Sequence, residues 1–544
     1  MHPRLHPNGG IALRIRTLTA LAAAALLAIS PALTSCSTGG SGDATIVTVN
    51  GGEPQNPLIP TDTNENMGGR VVDRLFAGLE YYDASGTPHD EVAQSIDSPD
   101  RQHYTIVLKP GWTFTDGTAV TAKSFVDAWN YGALGSNGQL QNWAFATIAG
   151  YDDVSANPPR AQTMSGLKVV DDRTFTVDLK QPSIDFRLQL GFAPFYPLPD
   201  VAFKDMKAFG AAPIGNGPYT FGDWQHNVRI DLTPNPGYHG GRPARNKGLR
   251  FVMYQSYDTA YADLQAGNLD ALDVIPDSAL ATYKQDLGDR AISKPIAYSQ
   301  HIGVQPTVPH FAGPEGVLRR KAISLAINRD QIAANIFHGT RVPSRDFTAF
   351  TLPGFRGDLP GADVLKYNPD EARRLWAQAN ALSPWSGSYQ IAYNSDGGHQ
   401  AWIEAVANSV KNTLGIEAVG APYPTFKNIR DEITAKTIGK AFRYGWQGDY
   451  LSMFEFLTSM YLSGSQTDDI QYSNPEFDKL LFEAQAAATP EQAYDTLARA
   501  QTVLFQDMAD IPIFDYDVAA GRSDKVKRAD VTWCGLFDFE NIEK

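Results

Sequence analysis

Cysteine is almost missing from this chain, which has 544 residues and two cysteines, Cys36 and Cys534. Two cysteines allow one disulfide at most, and they cannot build a cysteine metal cluster. The ten histidines are scattered, and none falls at a metal-ligand spacing on a predicted helix. We therefore expect neither a disulfide framework nor a metal site, and nothing in the sequence indicates a cofactor.

The sequence also lacks the motifs of common catalytic sites. It contains no G-x-S-x-G elbow, no H-E-x-x-H helix, no P-loop and no G-x-G-x-x-G turn after a predicted strand. The segment Gly215-Asn216-Gly217-Pro218 resembles a phosphate loop only superficially, because a proline follows the second glycine, and a turn is the better interpretation. No residue is a candidate nucleophile, so an enzyme such as a secreted peptidase is the weaker functional hypothesis.

Positive charge is in deficit, with 46 Lys and Arg residues against 60 Asp and Glu residues and a formal net charge of −14. The first 35 residues contain Arg4, Arg14 and Arg16 and no acid, so the rest of the chain has 43 basic and 60 acidic residues and a net charge of −17. Such an acidic surface keeps a protein soluble. It argues against nucleic acid or an anionic membrane face as a partner.

Long hydrophobic runs are missing as well, apart from Leu18 to Ile29. That run is too short and too alanine-rich for a spanning helix, and its arginine-containing start is typical of a secretory signal. The residues Leu33-Thr34-Ser35-Cys36 resemble a bacterial lipobox, in which the cysteine thiol receives a diacylglycerol and becomes the new amino terminus. We predict a signal peptide at 1–35, a lipidated Cys36 as the only link to the membrane, and a flexible tether at 36–43. The alternative is an ordinary cleaved signal with a chance cysteine beside it.

Strand and helix patterns alternate along the remaining roughly 500 residues, a length that predicts two or three domains. A helix is predicted from Met67 to Leu79, and the segment Leu167 to Leu179 resembles a hairpin. Asn368-Pro369 and Thr489-Pro490 are each typical of a capped helix start with proline at the first helical position. No repeat of a solenoid period is present. The sequence therefore predicts a mixed α/β fold.

Several local patterns resemble one family of binding proteins. The segment Leu108 to Phe125 is similar to the W/F-x-D-G-x-P-V-T-A-x-D-F block of the extracellular solute-binding proteins of family 5. Further stretches agree with that family in order and spacing: Gly217-Pro218-Tyr219 with Asn235-Pro236-Gly237-Tyr238, Leu264 to Asp270, and Leu318 to Ile323 running into Asn328-Arg329-Asp330. The resemblance extends from Asn50 to about Tyr516. The family comprises the oligopeptide-, dipeptide- and nickel-binding subunits of ABC importers.

The resemblance implies an α/β fold of the periplasmic-binding-protein type, with two main lobes, a third inserted lobe and a ligand cleft between lobes I and III. The expected lobe I combines residues 44–66, 196–298 and 517–544, lobe II comprises residues 67–195, and lobe III comprises residues 299–516. The chain is expected to cross between lobes near Ser299 and Tyr516, which would form the hinge for closure. A monomer is expected.

The segment Phe442 to Tyr450 is the strongest candidate for a ligand site. Three aromatic residues, Phe442, Tyr444 and Trp446, alternate with Arg443, Gly445 and Gln447, which is the period-two pattern of a strand with two unlike faces. Gly445 has no side chain, so another backbone can approach it closely. Asp449 follows just past the predicted strand.

Around this segment the resemblance is to oligopeptide-binding proteins. In such proteins an extended peptide adds as a strand between the lobes, and the aspartate that matches Asp449 pairs with the α-ammonium of the peptide. The other residues expected to contact the peptide at this end are Trp446, Gly445 and Gln447, opposite a segment that contains Glu53 and Gln55. The alternative for Asp449 is a structural salt bridge.

The opposite end of a bound peptide needs a cation. The resemblance places Arg443 and His399 where residues meet the carboxylate of the peptide, and it places Tyr423 near an aromatic of the pocket. Arg443 could equally be a surface residue of the strand, and His399 could be a helix cap.

The function implied by the resemblance is that of a lipid-anchored, extracytoplasmic substrate-binding subunit. It would capture oligopeptides in the cleft between lobes and deliver them to the permease subunits of an ABC importer with cytoplasmic ATPases. Within the family the alternatives are binders of a dipeptide, haem, a nickel chelate or a sugar. A nickel binder would need histidines at the cleft, where only His399 is a candidate. A lipoprotein receptor that senses peptide without transport is also open.

Overall fold

The computed structural model describes residues 46–465 and 467–544. The predicted signal peptide, the lipidated Cys36 and the predicted tether lie outside these residues. None of the helices in the described part of the chain is both long enough and apolar enough to cross a membrane.

The described part contains strands that are numbered here in chain order. They are β1 Val47–Gly51, β2 Glu80–Tyr82, β3 Pro88–Asp90, β4 Ala93–Asp97, β5 His103–Leu108, β6 Leu167–Asp171, β7 Thr174–Asp178, β8 Tyr219–Gln225, β9 Arg229–Pro234, β10 Leu249–Met253, β11 Ala271–Leu272, β12 Ala291–Gly303, β13 Arg341–Pro343, β14 Tyr389–Asn394, β15 Ala418–Tyr423, β16 Ala441–Gln447 and β17 Ile511–Arg522.

The α-helices of the same part intermix with the strands along the chain. They are α1 Asn66–Leu75, α2 Ala122–Ala133, α3 Tyr151–Val154, α4 Met206–Ala211, α5 Tyr257–Ala266, α6 Tyr283–Leu287, α7 Gly313–Ala326, α8 Arg329–Asn335, α9 Pro369–Leu382, α10 Gln400–Leu414, α11 Phe426–Thr434, α12 Met453–Tyr461, α13 Pro475–Gln485 and α14 Pro490–Asp507.

Eleven of the strands form one large sheet. Its order is β15-β14-β16-β12-β17-β11-β1-β10-β9-β8, with β13 also paired to β17. Strand β1 pairs in parallel with β10 and β11, whereas the long strands β12 and β17 pair in antiparallel fashion. Two smaller sheets contain β2-β3 and β4-β5-β7-β6, and the predicted hairpin at 167–179 is the β6-β7 pair. The mixed sheet with its helices confirms the predicted α/β class.

Local capping explains two of the predicted helix starts. Asn368 Oδ1 accepts a hydrogen bond from the backbone N–H of Glu371 at 3.2 Å. Thr489 Oγ1 accepts one from the backbone N–H of Gln492 at 3.3 Å. Each capping residue satisfies an amide that has no partner inside the helix, and each is followed by a proline that needs none. The predicted starts of α9 and α14 are confirmed.

Helix α1 ends earlier than its sequence pattern predicted. The prediction extended to Leu79, but the helix ends at Leu75. The N–H of Gly217 donates to the carbonyl oxygen of Leu75 at 2.8 Å. A Cβ atom at Gly215 would lie 1.8 Å from that oxygen, so only glycine allows this approach. A turn more than a hundred residues away along the chain therefore fixes the end of this helix.

Two large hydrophobic cores share the strands β12 and β17. One core is built mainly from residues 47–251 and 518–542, and the other mainly from residues 260–514. In β12, Ile296 belongs to the first core and Ile302 to the second. The two long strands therefore connect the two halves of the molecule.

The first predicted crossing lies at an irregularity in this pair of strands. The register of β12 against β17 shifts between Pro295 and Ser299, and again between Gln300 and His301. Residues 260–287, which were assigned to lobe I, pack into the same core as residues of the expected lobe III. The lobe boundaries themselves stay a prediction.

Candidate functional site

Strand β16 positions the candidate residues through its alternation. Side chains of a strand point to opposite faces in turn, so Arg443, Gly445 and Gln447 share one face. Trp446 belongs to the other face, where its indole N–H donates to the carboxyl group of Glu455 in α12. The strand lies between β14 and β12, and all its residues are buried or half-buried. The predicted strand is confirmed, with two faces of different chemistry.

Two of the predicted contacts on β16 are engaged within the protein. A Cβ atom at Gly445 would lie 2.3 Å from the carbonyl oxygen of Ser299, so the close backbone approach at this glycine is made by β12. Gln447 Oε1 accepts from Asn66 Nδ2 at 3.1 Å, and Gln447 Nε2 donates to the carbonyl of Cys534. Gln447 therefore ties the end of β16 to the start of α1 and to the carboxyl-terminal segment.

Asp449, two residues beyond β16, lies beside Glu455. Each of the two carboxyl groups influences the pKa of the other. Asp449 is half-buried, whereas Glu455 is only 2% exposed. Within residues 46–465 and 467–544, neither group forms an ion pair with a lysine, arginine or histidine. The structural salt bridge considered as an alternative for Asp449 has no partner there.

Burial and like charge govern the titration of this pair. Removal from water, with a smaller contribution from Asp73, raises the pKa of Asp449 to about 7. Burial first, and then the charge of Asp449, raises the pKa of Glu455 well above its usual range, with Asp185 adding to the effect. Asp185 is 3% exposed and accepts a hydrogen bond from Ser452 Oγ at 2.6 Å. Four acidic groups therefore lie close together, and a cation would relieve their repulsion.

Glu455 was missed by the sequence analysis, although one pattern could have indicated it. It is the only charged residue in α12, whose sequence is MFEFLTSMY. A lone acid on an otherwise apolar, buried helix needs a partner or a proton. That pattern alone, however, does not say that the partner is Asp449.

Arg443 marks the other end of the candidate face. Its Nε and Nη2 atoms donate to Oδ1 of Asn394 at 3.0 and 2.6 Å, and its guanidinium carbon lies 5.3 Å from the centre of the Phe426 ring. Asn394 is neutral, so in the described part of the chain the charge of Arg443 has no ion-pair partner. Burial lowers the pKa of Arg443. With 8% of its surface exposed, Arg443 is not the surface residue considered as an alternative.

A second arginine, which the sequence analysis did not single out, completes this end. The guanidinium carbon of Arg341 lies 3.6 Å from the centre of the Tyr516 ring, and that ring stacks on Tyr298 with centroids 4.1 Å apart. Tyr298 and Tyr516 also interact with Arg443. Arg341 Nε is buried and has no hydrogen-bond partner among the described residues. No local pattern indicates Arg341, because its short strand β13 reaches this place only by pairing with β17.

His399 lies within electrostatic reach of both arginines. Burial first, and then the charges of Arg443 and Arg341, lower the pKa of His399 well below its usual range, so the ring is neutral. Its Nδ1 accepts from the indole N–H of Trp402 at 3.2 Å, which leaves the proton on Nε2. His399 occupies the N-cap position of α10, but its side chain makes no capping hydrogen bond. The structure thus brings His399 and Arg443 together. Their contact with a peptide carboxylate stays a prediction.

Glu53 and Gln55 are not brought to these charged groups. The carboxylate of Glu53 accepts from His226 Nδ1 at 2.6 Å and from the backbone N–H of Asn227 at 2.7 Å, so it is engaged beside β8. The backbone N–H of Gln55 donates to Glu65 Oε1 at 3.2 Å, and the residue is exposed. Their contact with a ligand stays a prediction.

Tyr423 is engaged at the edge of the sheet. It is the last residue of β15, the edge strand, and its hydroxyl donates to Glu432 Oε2 at 2.6 Å. The hydroxyl oxygen of Tyr423 accepts from Lys440 Nζ at 3.1 Å. Its predicted place near a pocket aromatic stays a prediction.

A Ser-His-Asp arrangement lies in the core. His301 Nδ1 is 2.8 Å from Asp510 Oδ2, and His301 Nε2 is 3.0 Å from Ser299 Oγ. All three residues are 0% exposed, so no substrate can reach the serine hydroxyl. The hydroxyl groups of Tyr444 and Tyr461 also donate to Asp510. This network joins β12 and β16 to the chain before β17, and its role is structural.

Neither of two surface cavities is lined by Arg443, His399 or Asp449. One of about 560 Å³ is lined by residues of α13, and one of about 520 Å³ lies between α7, α9 and α14. In the part of the chain that the structure describes, no group of three or more His, Cys, Asp or Glu residues is arranged to hold a metal ion. The candidate site is therefore the stretch along β16 between Arg443 and Asp449, the two charged residues that have no ion-pair partner in the described part of the chain.

Comparison with known proteins places this geometry in a family. The model of the bacterial extracellular solute-binding proteins, family 5 middle, matches residues 87–468. The oligopeptide-binding protein OppA of Bacillus subtilis is 26% identical over 505 residues, which cover 89% of this chain and 90% of that protein. The periplasmic oligopeptide-binding protein OppA of Salmonella typhimurium is 27% identical over 484 residues, which cover 87% of each chain.

Solved structures share the fold. The murein tripeptide binding protein MppA of Escherichia coli superimposes with a TM-score of 0.81 at 21% identity, covering 92% of this chain and 98% of that chain. Haemophilus influenzae OppA in complex with RPPGFSPFR gives a TM-score of 0.81 at 23% identity with the same coverage. The predicted fold of the periplasmic-binding-protein type is confirmed.

Proposed function

Because the chain belongs to the bacterial extracellular solute-binding proteins of family 5, which are binding proteins and not enzymes, we propose that it captures oligopeptides for an ABC importer. The observation that carries this proposal is a pair of opposite charges at the two ends of β16. Neither Asp449 nor Arg443 has an ion-pair partner among the described residues, and a zwitterionic peptide supplies both. The oligopeptide-binding names of the relatives support the same ligand class.

Asp449 is proposed to bind the α-ammonium of the peptide. An ammonium that enters a closed cleft loses its water, so a carboxylate must replace that solvation. Asp449 is half-buried and surrounded by Glu455, Asp185 and Asp73, which make the region favourable for a cation and unfavourable for an anion. The negative charge at this end therefore orients a peptide with its amino end at this side.

Arg443 and Arg341 are proposed to bind the carboxylate of the peptide, with His399 beside them. Arg443 has used two of its N–H groups on Asn394, and Arg341 keeps a buried Nε without a partner. His399 is neutral and carries its proton on Nε2, so it can donate one hydrogen bond to an anion without adding charge. Guanidinium groups suit this task because they stay protonated and bind carboxylates through several donors.

The two ends set an upper limit on peptide length. Arg443 and Asp449 are six positions apart, which corresponds to at most about 20 Å of extended chain. An extended peptide of up to about six residues can therefore place its ammonium and its carboxylate at the two ends at once. Longer peptides would have to leave one terminus outside this pair of contacts.

Closure and delivery complete the proposal. The peptide is proposed to lie between lobes I and III, with the crossings of β12 and β17 near Ser299 and Tyr516 as the hinge. Cys36 is proposed to anchor the protein by lipid at the outer face of the cell membrane, where the closed form meets the permease subunits. Two acyl chains or more are needed for stable retention, which a diacylglycerol with a further acyl group provides.

Titration calorimetry on the protein without its lipid tests the ligand class. Tetra-alanine is expected to bind, and its N-acetylated and C-amidated forms are expected to bind at least about tenfold more weakly, because each lacks one terminal charge. Equal affinity for all three forms would remove the peptide termini from the site and favour another solute of the family. Haem, a nickel chelate and a sugar in parallel titrations serve as comparison ligands.

Replacing Cys36 by serine tests the anchor. Cys36→Ser is expected to abolish processing at the lipobox or to release the protein from the membrane fraction, because serine cannot form the thioether. Cys534→Ser is the matched control and is expected to fractionate like the wild type. A mature-sized Cys36→Ser product that stays in the membrane would contradict lipidation.

A further inference from the structure

One carboxyl oxygen beside the proposed ammonium site has no donor. Glu455 is 2% exposed on α12. Its Oε1 accepts from the indole N–H of Trp446, whereas its Oε2 is buried and has no hydrogen-bond donor among the described residues. An ionised carboxylate oxygen that is buried without a donor is strongly unfavourable. Burial of Oε2 without a donor therefore favours the protonated form of the Glu455 carboxyl group.

The groups around Glu455 make its ionised form still less favourable. Asp449 from the end of β16 and Asp185 from the chain after β7 both add negative charge, and Asp73 of α1 acts on Asp449. The tyrosine hydroxyls of Tyr82 and Tyr450 also face this cluster. Tyr494 interacts with Asp185, and Tyr196, Glu540 and Cys534 interact with Asp73. The nearest cations, Arg74 and Arg242, act on Asp73. Neither arginine forms an ion pair with Glu455 or Asp449.

We infer that Glu455 keeps its proton in the ligand-free protein and donates a hydrogen bond from Oε2 to the carboxylate of Asp449. The inference rests on the proposed function, in which Asp449 binds the ammonium of a peptide. With this proton in place, Oε1 accepts from Trp446 and Oε2 donates to Asp449, so both oxygens are satisfied. Glu455 is then a positioning residue, because it holds the carboxylate of Asp449 and does not itself pair with the ligand.

The consequence is a site with one negative charge from two carboxyl groups. Two adjacent ionised carboxylates repel each other, and a single ammonium would leave one of them uncompensated. A retained proton matches the charge of the pair to one ammonium. In support, burial and the charge of Asp449 raise the pKa of Glu455 well above its usual range. The pair titrates as a unit, with a first step near the pKa of about 7 of Asp449.

Two substitutions separate this arrangement from one in which Glu455 is a second ionised partner of the ammonium. Glu455→Gln cannot ionise, but its amide can accept from Trp446 and donate to Asp449. Glu455→Leu can do neither. Titration of tetra-alanine at about pH 7 is expected to show Glu455→Gln within about threefold of the wild type and Glu455→Leu about tenfold weaker, since only the second loses a hydrogen bond to a charged group.

The infrared spectrum of the ligand-free protein tests the proton without any peptide. At about pH 7, where ordinary carboxyls are ionised, the wild type is expected to show a carboxylic acid C=O band to which several buried acids contribute, Asp515 among them. Glu455→Gln is expected to lower that band by the contribution of Glu455. The exposed Glu404→Gln is the matched control and is expected to leave the band unchanged. If the wild type failed to bind tetra-alanine, the proposed function would fall, whereas this band would still report the proton of Glu455.

Either of two results would overturn the inference. One is a spectrum that Glu455→Gln leaves unchanged. The other is a loss of affinity in Glu455→Gln as large as the loss in Asp449→Asn, which would identify Glu455 as an ionised ligand of the ammonium.

Discussion

Buried charged groups are stabilised in different ways at the two ends of β16. At the Arg443 end, the guanidinium donates to the neutral Asn394 and lies over an aromatic ring, and a second arginine packs on Tyr516. At the Asp449 end, the carboxyl groups of Asp449 and Glu455 lie beside each other, and the charge of Asp449 raises the pKa of Glu455. Arginine keeps its charge and is stabilised by dipoles and ring faces, whereas carboxyl groups can take up protons.

Only the acid end is expected to respond to the pH of the solution. A guanidinium has no accessible neutral form, so the carboxylate-binding end should be insensitive to pH. The acid end titrates near neutrality because burial disfavours its charged form. Substitutions and pH changes directed at one end at a time therefore test this difference between the Arg443 end and the Asp449 end.

The largest expected effect is at the acid end. Asp449→Asn should weaken the binding of tetra-alanine by roughly 30-fold or more, because removing one partner of a desolvated ion pair costs about 2–5 kcal/mol. N-acetylation of the peptide deletes the same interaction, so the two losses should not add in a double cycle measured by calorimetry. Asp363→Asn, whose side chain is 91% exposed, is the matched control and should bind normally. Additive losses would show that Asp449 and the ammonium do not interact.

A smaller effect is expected at the arginine end. Arg443→Gln should weaken the binding of tetra-alanine by about tenfold, because it removes one charge-assisted hydrogen bond of about 1.5–3 kcal/mol while Arg341 remains. The loss should vanish for the C-amidated peptide. Arg356→Gln, at an exposed arginine paired with Asp495, is the matched control. If the loss in Arg443→Gln vanished for the N-acetylated peptide and not for the C-amidated peptide, the assignment of the two ends would be reversed.

The smallest effect is the pH dependence of binding. Asp449 has a pKa of about 7 in the free protein, so protons compete with the ammonium below that value. Half a pH unit below the pKa, binding should be about fourfold weaker than on the alkaline side, and Asp449→Asn should abolish this dependence. A calorimetric pH series measures it. If binding to Arg443→Gln no longer depended on pH, the assignment of the pH dependence to Asp449 would be contradicted.

The raised pKa of Asp449 also predicts how the free energy of unfolding depends on pH. The folded protein holds a proton on Asp449 in the window between the usual pKa of 3.8 and about 7, where the unfolded chain has released it. A raised carboxyl pKa therefore lowers the free energy of unfolding as pH rises through this window. Asp449→Asn should melt above the wild type on the alkaline side of the window and equally on its acid side.

Much of the fold could be predicted from sequence because its signals are local. The caps at Asn368 and Thr489 act on amides three residues away, and the alternation of β16 follows from strand geometry. The end of α1 could not be predicted, since a contact from Gly217 sets it. For the site, Arg443, His399 and Asp449 were predicted through a family resemblance, whereas Arg341 and Glu455 were not predicted.

The class of the molecule follows from its sequence: an acidic α/β binding protein with few cysteines, two capped helices and a two-faced strand that ends near Asp449. The residues that contact Asp449 depend on the tertiary fold. Glu455 reaches Asp449 because α12 packs against β16, and Arg341 reaches Tyr516 because β13 pairs with β17. The physical reason is that backbone propensity acts over a few residues, whereas the charges that remain unpaired depend on sheet register and packing across the whole chain.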